Sequence, residues 1–331
     1  MPLLSASSYT MPFPFTNGHV QTLYPPLFRA VPDAPARRER LDTADGDFLD
    51  MDFLPCGAYG APLAVVSHGL EGHSRRKYVR GMARCLNAHG WDVCAWNFRG
   101  CSGEPNRTVR MYHSGVTDDL HSVVTYCAGL GYAAIALVGF SMGGNQILKY
   151  LGEKPEAVHP AVAASVTFSV PCDLVGAAQV LDRPSNVIYM RYFMHSLRQK
   201  MVQKKAVFPD MPSIEGLESM RTFREFDNRF TAPLHGFRDA LDYWERCGCG
   251  QFLRRVRVPS LLVNAANDPF LSPSCYPVHA AEQSASLFLE MPRTGGHVGF
   301  VRSREDGYYW SDLRAAAFLA EVLGMQMPQG L

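Results

Sequence analysis

Residues Ile135–Phe140 form an apolar run of strand-forming side chains. The run ends at a serine, Ser141, set between Gly139 and the pair Gly143-Gly144, and helix-forming residues follow from Asn145 to Leu151. A strand that closes in Gly-x-Ser-x-Gly and opens at once into a helix requires a sharp turn, which lifts the serine Oγ clear of the backbone. Such a turn strains the serine, so Gly139 and Gly143 stand where a Cβ would collide. The helix opening at Met142 aims free N–H groups and the positive end of its dipole at the hydroxyl. The bare motif arises often by chance, and an idle serine in a Gly-rich turn is the plainer reading; the strand–turn–helix context favours the reactive one.

The alternation of short apolar strands with helical periodicity extends to both sides of this stretch. Strands are predicted at Ala61–Ser67, Trp91–Trp96, Ile135–Phe140 and Ala161–Val170, with helices at Tyr78–Ala88, Gly115–Cys127 and Met142–Leu151. The pattern resumes with strands at Val258–Asn264 and Ser286–Met291 and helices at Ser274–Gln283 and Trp310–Leu323. This predicts an α/β fold, a mostly parallel central sheet with helices on both faces. A strand pair, Arg37–Leu41 and Phe48–Leu54, turns at Asp45-Gly46-Asp47 ahead of it.

Residues 37–172 and 252–331 are thus the two parts of the core, and 173–251 is an interruption with helical candidates at Asn186–Lys205 and Pro233–Cys247. Inserted at the carboxyl ends of sheet strands, it would form a helical cap over the active site. Its Met- and aromatic-rich stripe reads first as core packing and second as an apolar underside suited to acyl chains. Residues 1–36 form an N-terminal segment with four prolines between Tyr9 and Phe28, which argue against helix or central strand. An extended belt is expected there, its aromatics laid on the body or lining the pocket.

Thirty-two Lys and Arg against 31 Asp and Glu leave no net field to attract nucleic acid. Nine cysteines without a C-x-x-C pair read as free thiols in a reducing cytoplasm, not as a zinc or redox motif. Residues 1–6 carry neither a basic nor an apolar signal region, and no window reaches 18 apolar residues. No signal peptide or transmembrane segment is expected, which leaves room for transient contact with a lipid surface. Oligomeric state is not legible.

A serine hydroxyl needs a base, and the base needs an orienting acid. After an elbow serine these partners follow in the order Ser…Asp/Glu…His. Asp268 follows the strand ending near Asn264, and His297 sits on the Gly-rich loop after the strand ending at Met291. Asp173, past an earlier strand, is a rival acid. The oxyanion needs two donors fixed in advance: the N–H of Met142, and that of Leu70 in the loop His68-Gly69-Leu70-Glu71-Gly72. His68 is expected to prop that loop. His113, five residues before Asp118, has a spacing seen in some acyltransferases, although Thr117 or Asp118 more simply caps a helix. The Gly-rich loop Asn97–Glu104 lacks a phosphate-binding order.

With these residues in hand the chain resembles the α/β-hydrolases, in the YheT-like branch related to embryogenesis-associated hydrolases and animal abhydrolase-domain proteins. The resemblance spans nearly the whole chain and rests on Asn17–Leu23, His68–Gly72, Arg99–Gly103, Tyr112–Gly115, Gly139–Asn145, Glu225-Phe226-Asp227 and Thr231–Phe237. It implies a serine carboxylesterase or lipase-type activity on short- to medium-chain acyl esters, with Ser141, Asp268 and His297 as the triad and no metal or organic cofactor. Asn267 departs from relatives that often carry a second acid there. Acyl transfer to an alcohol, or ligand binding without catalysis, are the alternatives.

Overall fold

The computed structural model describes residues 3–4, 7–302 and 306–326. Eight strands form one sheet: β1 (Arg37–Asp42), β2 (Phe48–Leu54), β3 (Leu63–Ser67), β4 (Asp92–Trp96), β5 (Ile135–Phe140), β6 (Val162–Phe168), β7 (Ser260–Val263) and β8 (Leu287–Glu290). Their order is β1-β2-β4-β3-β5-β6-β7-β8; β2 pairs antiparallel with both β1 and β4, and every other pairing is parallel. The helices are α1 (Gly18–Phe28), α2 (Lys77–Ala88), α3 (Asp118–Gly129), α4 (Met142–Glu153), α5 (Leu174–Leu181) and α6 (Val187–Val207). After them come α7 (Phe223–Phe226), α8 (Ala232–Leu234), α9 (Ala240–Cys247), α10 (Val278–Glu282) and α11 (Trp310–Leu323).

Strands buried on both faces must be apolar nearly throughout, as β3 and β5 are. Alternation then splits their side chains. On β3, Ala64 and Val66 pack with Met82 of α2 and Phe318 of α11, while Leu63 and Val65 pack with Val123 of α3 and Ile147 of α4. The in-register pairs Ser67–Gly139, Phe140–Phe168, Phe168–Val263 and Val263–Glu290 bring the carboxyl ends of β3, β5, β6, β7 and β8 to one edge. Every loop expected to carry chemistry leaves from that edge.

Helices α5 to α9 fill the chain between β6 and β7. Met190, Met194, Leu197 and Met201 of α6 pack on Phe226 and Phe230 in a core of their own, so the methionine stripe is chiefly packing. Pro233 lies in the short α8 turn, and α9 starts only at Ala240. Pro277 likewise splits the helix expected at Ser274–Gln283 into a 3₁₀ turn and α10. Thr117 occupies the N-cap position of α3 without a capping bond; its hydroxyl turns to Glu153 (3.3 Å), and Asp118 pairs with Arg110 instead.

The N-terminal segment departs most from expectation. Instead of an extended belt, Gly18–Phe28 is a helix with Pro25 and Pro26 inside it. Asn17 caps it by accepting from the N–H groups of His19 and Val20, and Thr22 Oγ1 donates to Gly18 O. The prolines forfeit two helical hydrogen bonds. Burial of Gln21, Thr22 and Pro25 against the body offsets that loss, as tertiary packing commonly does for short helices. Of its aromatics, Tyr9 is laid on the body against Phe300 and Trp310, whereas Phe13 is 90% and Phe28 66% exposed. No described residue of this segment lines the cleft beside Ser141. Leu3 bridges Leu289 and covers the outer edge of β8. Among the described residues no helix is long and apolar enough to cross a membrane.

Candidate active site

Ser141 sits at the N-cap of α4 with φ 51° and ψ −118°, a conformation rarely adopted by a residue with a Cβ. Close packing imposes it. A Cβ on Gly139 would meet Ile147 and the Gly143 carbonyl at 2.7–2.8 Å, and one on Gly143 would meet the carbonyls of His68 and Ser67 at 2.4 and 2.6 Å. Both glycines are required, as their spacing suggested. The second contact also presses the elbow against the loop that leaves β3. Asn145, one turn into α4, binds the carbonyls of Ser114 and Cys247 and accepts from the Cys249 N–H, tying the elbow to its surroundings.

His297 Nε2 lies 3.0 Å from Ser141 Oγ. Its Nδ1 lies 2.9 and 3.1 Å from the two carboxylate oxygens of Asp268. A carboxylate facing Nδ1 keeps the proton there and leaves Nε2 as the acceptor for the serine hydroxyl. Asp268 is buried and accepts a further bond from the Phe270 N–H, while the Phe270 ring stacks on the imidazole with centroids 4.1 Å apart. Asp173 is elsewhere: it caps α5 through the N–H groups of Val175 and Gly176 and accepts from Ser274 Oγ.

The loop after β3 flanks the serine on the other side. A Cβ on Gly69 would stand 3.4 Å from Ser141 Cβ. The Gly69 N–H donates to Tyr78 Oη and the Glu71 N–H to Tyr112 Oη. Between them, the Leu70 N–H has no partner among the described residues, and neither has that of Met142. His68 is the expected prop. Nδ1 donates to Gly69 O, Nε2 accepts from the Phe98 N–H, and burial drives its pKa down to about 3. Leu70, Met142 and Ser141 line a cleft of about 840 Å³, open mouth included, whose far wall comes from α5, α6, α7 and α9.

Residues 62–302 match a family model described as the alpha/beta hydrolase fold. The chain belongs to the α/β-hydrolase family. It is 35% identical to Escherichia coli (strain K12) YheT, named as a candidate esterase, over 87% of this chain and 85% of that protein. It is 32% identical to Phospholipase ABHD3 of Mus musculus, over 85% of this chain and 70% of that protein. Embryogenesis-associated protein EMB8 of Picea glauca is 28% identical over 94% and 72%. In fold, the chain is similar to the Pyrococcus furiosus esterase Pf2001, with a TM-score of 0.60 and 15% identity over 89% of this chain and 96% of that one.

Residues to which motif reading assigned no role also hold the histidine loop. Thr22 of α1 accepts the His297 N–H at 2.9 Å, Ser169 Oγ accepts that of Val298 at 2.9 Å, and Asn267 Oδ1 accepts that of Gly296 at 3.0 Å. Asn267, the departure from an acidic pattern, is therefore a clamp on the histidine loop. His113 lines the cleft, but Asp118 is not its partner, since that carboxylate pairs with Arg110. Asp227 lines the same cleft. Burial pushes its pKa up to about 6 against the opposing bonds from Thr231 and Trp244. Neither His113 nor Asp227 carries a local signal beyond a short motif. The Arg99–Gly103 motif resolves as structure, with Arg99 buried among Asp45, Asp47 and Asp119.

Proposed function

We propose that this α/β hydrolase is a serine carboxylesterase that cleaves short- to medium-chain acyl esters through an acyl-enzyme on Ser141. The observation that carries the reading is the unbroken line from Asp268 through His297 to Ser141 Oγ, beside a largely apolar cleft. Ser141 Oγ attacks the ester carbonyl as its proton passes to His297 Nε2. The N–H groups of Leu70 and Met142 receive the oxyanion. The C–O bond to the alcohol then breaks and His297 returns the proton to the departing oxygen. Water repeats the sequence on the acyl-enzyme and releases the carboxylic acid. Asp268 holds the imidazole throughout and stabilises its cationic form. Helices α5 to α9, residues 173–251, act as a cap whose underside meets the acyl group. The nine free thiols support a reducing, cytoplasmic setting.

The decisive variant is Ser141→Ala. Hydrolysis of p-nitrophenyl butyrate is expected to fall by about 10⁴–10⁶-fold, and labelling by a fluorophosphonate probe is expected to vanish. A variant that kept most of the parent turnover would refute the assignment.

A further inference from the structure

Glu71 follows Leu70 and has φ 52°, a strained conformation that its surroundings must hold. Its carboxylate Oε1 accepts from Lys200 Nζ at 2.8 Å and from the Tyr112 hydroxyl. That hydroxyl also accepts the Glu71 N–H at 3.2 Å. The Glu71 carbonyl accepts from Arg76 Nη2 at 2.9 Å, and the same nitrogen donates to the Tyr192 hydroxyl at 2.6 Å. Tyr192 and Lys200 both belong to α6. One helix of the insertion therefore grips the residue beside Leu70 twice, once directly and once through Arg76. The ion pair is mostly shielded, with Lys200 and Glu71 side chains 12% and 7% exposed, and Lys200 Nζ also lies 3.1 Å from Cys101 Sγ and 4.6 Å over the Tyr112 ring centre. In such surroundings, losing one partner leaves the other charge uncompensated.

We propose that Lys200 is a positioning residue for the oxyanion donor at Leu70, holding Glu71 so that the seating of α6 and the assembly of the oxyanion site are one event. This rests on the esterase reading above. Tyr78 and Tyr112 occupy the N–H groups on either side of Leu70, so of these three the Leu70 N–H alone is left for a substrate oxygen. Removal of the Lys200 charge releases Glu71 from its left-handed conformation, and the adjoining Leu70 peptide turns with it. Phe193 and Leu197 of α6 line the cleft. The helix that would meet the acyl chain thus also holds the donor for its carbonyl, and an ester that packs well against α6 favours the reactive arrangement.

Lys200→Met keeps the apolar stem and removes the charge. It is expected to lower kcat for p-nitrophenyl butyrate by about 10- to 100-fold with KM changed less than about threefold, the pattern of an interaction made in the transition state. Affinity for a trifluoromethyl ketone, which forms an oxyanion adduct on the serine, should fall by a similar factor, and affinity for the matching secondary alcohol should not. The double variant Lys200→Met/Glu71→Gln should lie within about threefold of the worse single variant, because both break one clamp. A folded Lys200→Met protein with kcat and ketone affinity within about twofold of the parent would overturn the proposal. Should that variant fail to fold, Tyr112→Phe, which deletes only the shared hydroxyl, carries the same test with an expected loss of about five- to tenfold. A parent that neither hydrolyses the ester nor labels at Ser141 overturns the esterase reading and this proposal together. An active parent with unaffected variants overturns this proposal alone.

Discussion

Ser141 stands between two supports of different physical character. On the acid–base side, the backbone of the His297 loop is held by neutral hydrogen bonds, the His297 N–H donating to Thr22 and the N–H groups of its neighbours to Asn267 and Ser169. One of these clamps comes from the first thirty residues of the chain. On the proposed oxyanion side, the loop carrying Leu70 is held by a charge pair between its own Glu71 and Lys200 of the insertion. The sheet brings both loops to one edge, but segments outside the sheet lock them there. Neutral bonds of this kind each contribute about 1 kcal/mol and fail gently. A shielded ion pair fails more abruptly, because water compensates the remaining charge poorly.

The largest test of this contrast lies within the acid–base side. Asp268→Asn should lower turnover by up to about 10⁴-fold, by freeing the imidazole to take the wrong tautomer. Asp173→Asn should leave turnover unchanged, since Asn caps a helix about as well as Asp. Equal losses from the two, measured with p-nitrophenyl butyrate, would remove the distinction between them.

Thr22→Val is a milder break on the same side. It removes the acceptor for the His297 N–H, so kcat should fall by roughly three- to tenfold, the worth of one neutral hydrogen bond. Combined with Lys200→Met, its effect should multiply, because the two supports share no residue. Clear departure from multiplication would show that they form one network.

The smallest effect concerns the pH dependence of the insertion. Asp227 has its folded pKa raised from 3.8 to about 6 by burial. The folded state therefore binds more protons than the unfolded state between those values, and the contribution of this group to stability declines as pH rises through that window. The full swing is at most about 3 kcal/mol. Asp227→Asn should remove that decline, so thermal midpoints of parent and variant, compared between pH 4 and 6.5, should diverge as pH rises.

The proposed order of serine, acid and histidine was readable because each expected residue follows a strand end, and strand ends are legible from apolar runs bounded by glycine and proline. That logic located Ser141, Asp268 and His297, which the fold then brought within hydrogen-bonding distance of one another. It favoured Asp268 over Asp173, which also follows a strand, but could not say what Asp173 does instead; that depends on where α5 begins and whose N–H groups Asp173 satisfies. It failed at α1, where two prolines spoke against a helix that Asn17 and burial nevertheless sustain. It also passed over Thr22 and Lys200, whose partners lie 275 and 129 residues away in the chain.

Local chemistry alone thus determined the α/β architecture, the elbow at Ser141 and the identity of its histidine, since these depend on periodicity and on glycines in a tight turn. What occupies the rival Asp173, how a proline-bearing helix steadies the histidine loop and which helix grips the loop beside Leu70 were decided only by the folded chain. Such contacts join residues remote in sequence, and side chains like Thr22 and Lys200 acquire their roles from burial and from partners that packing supplies.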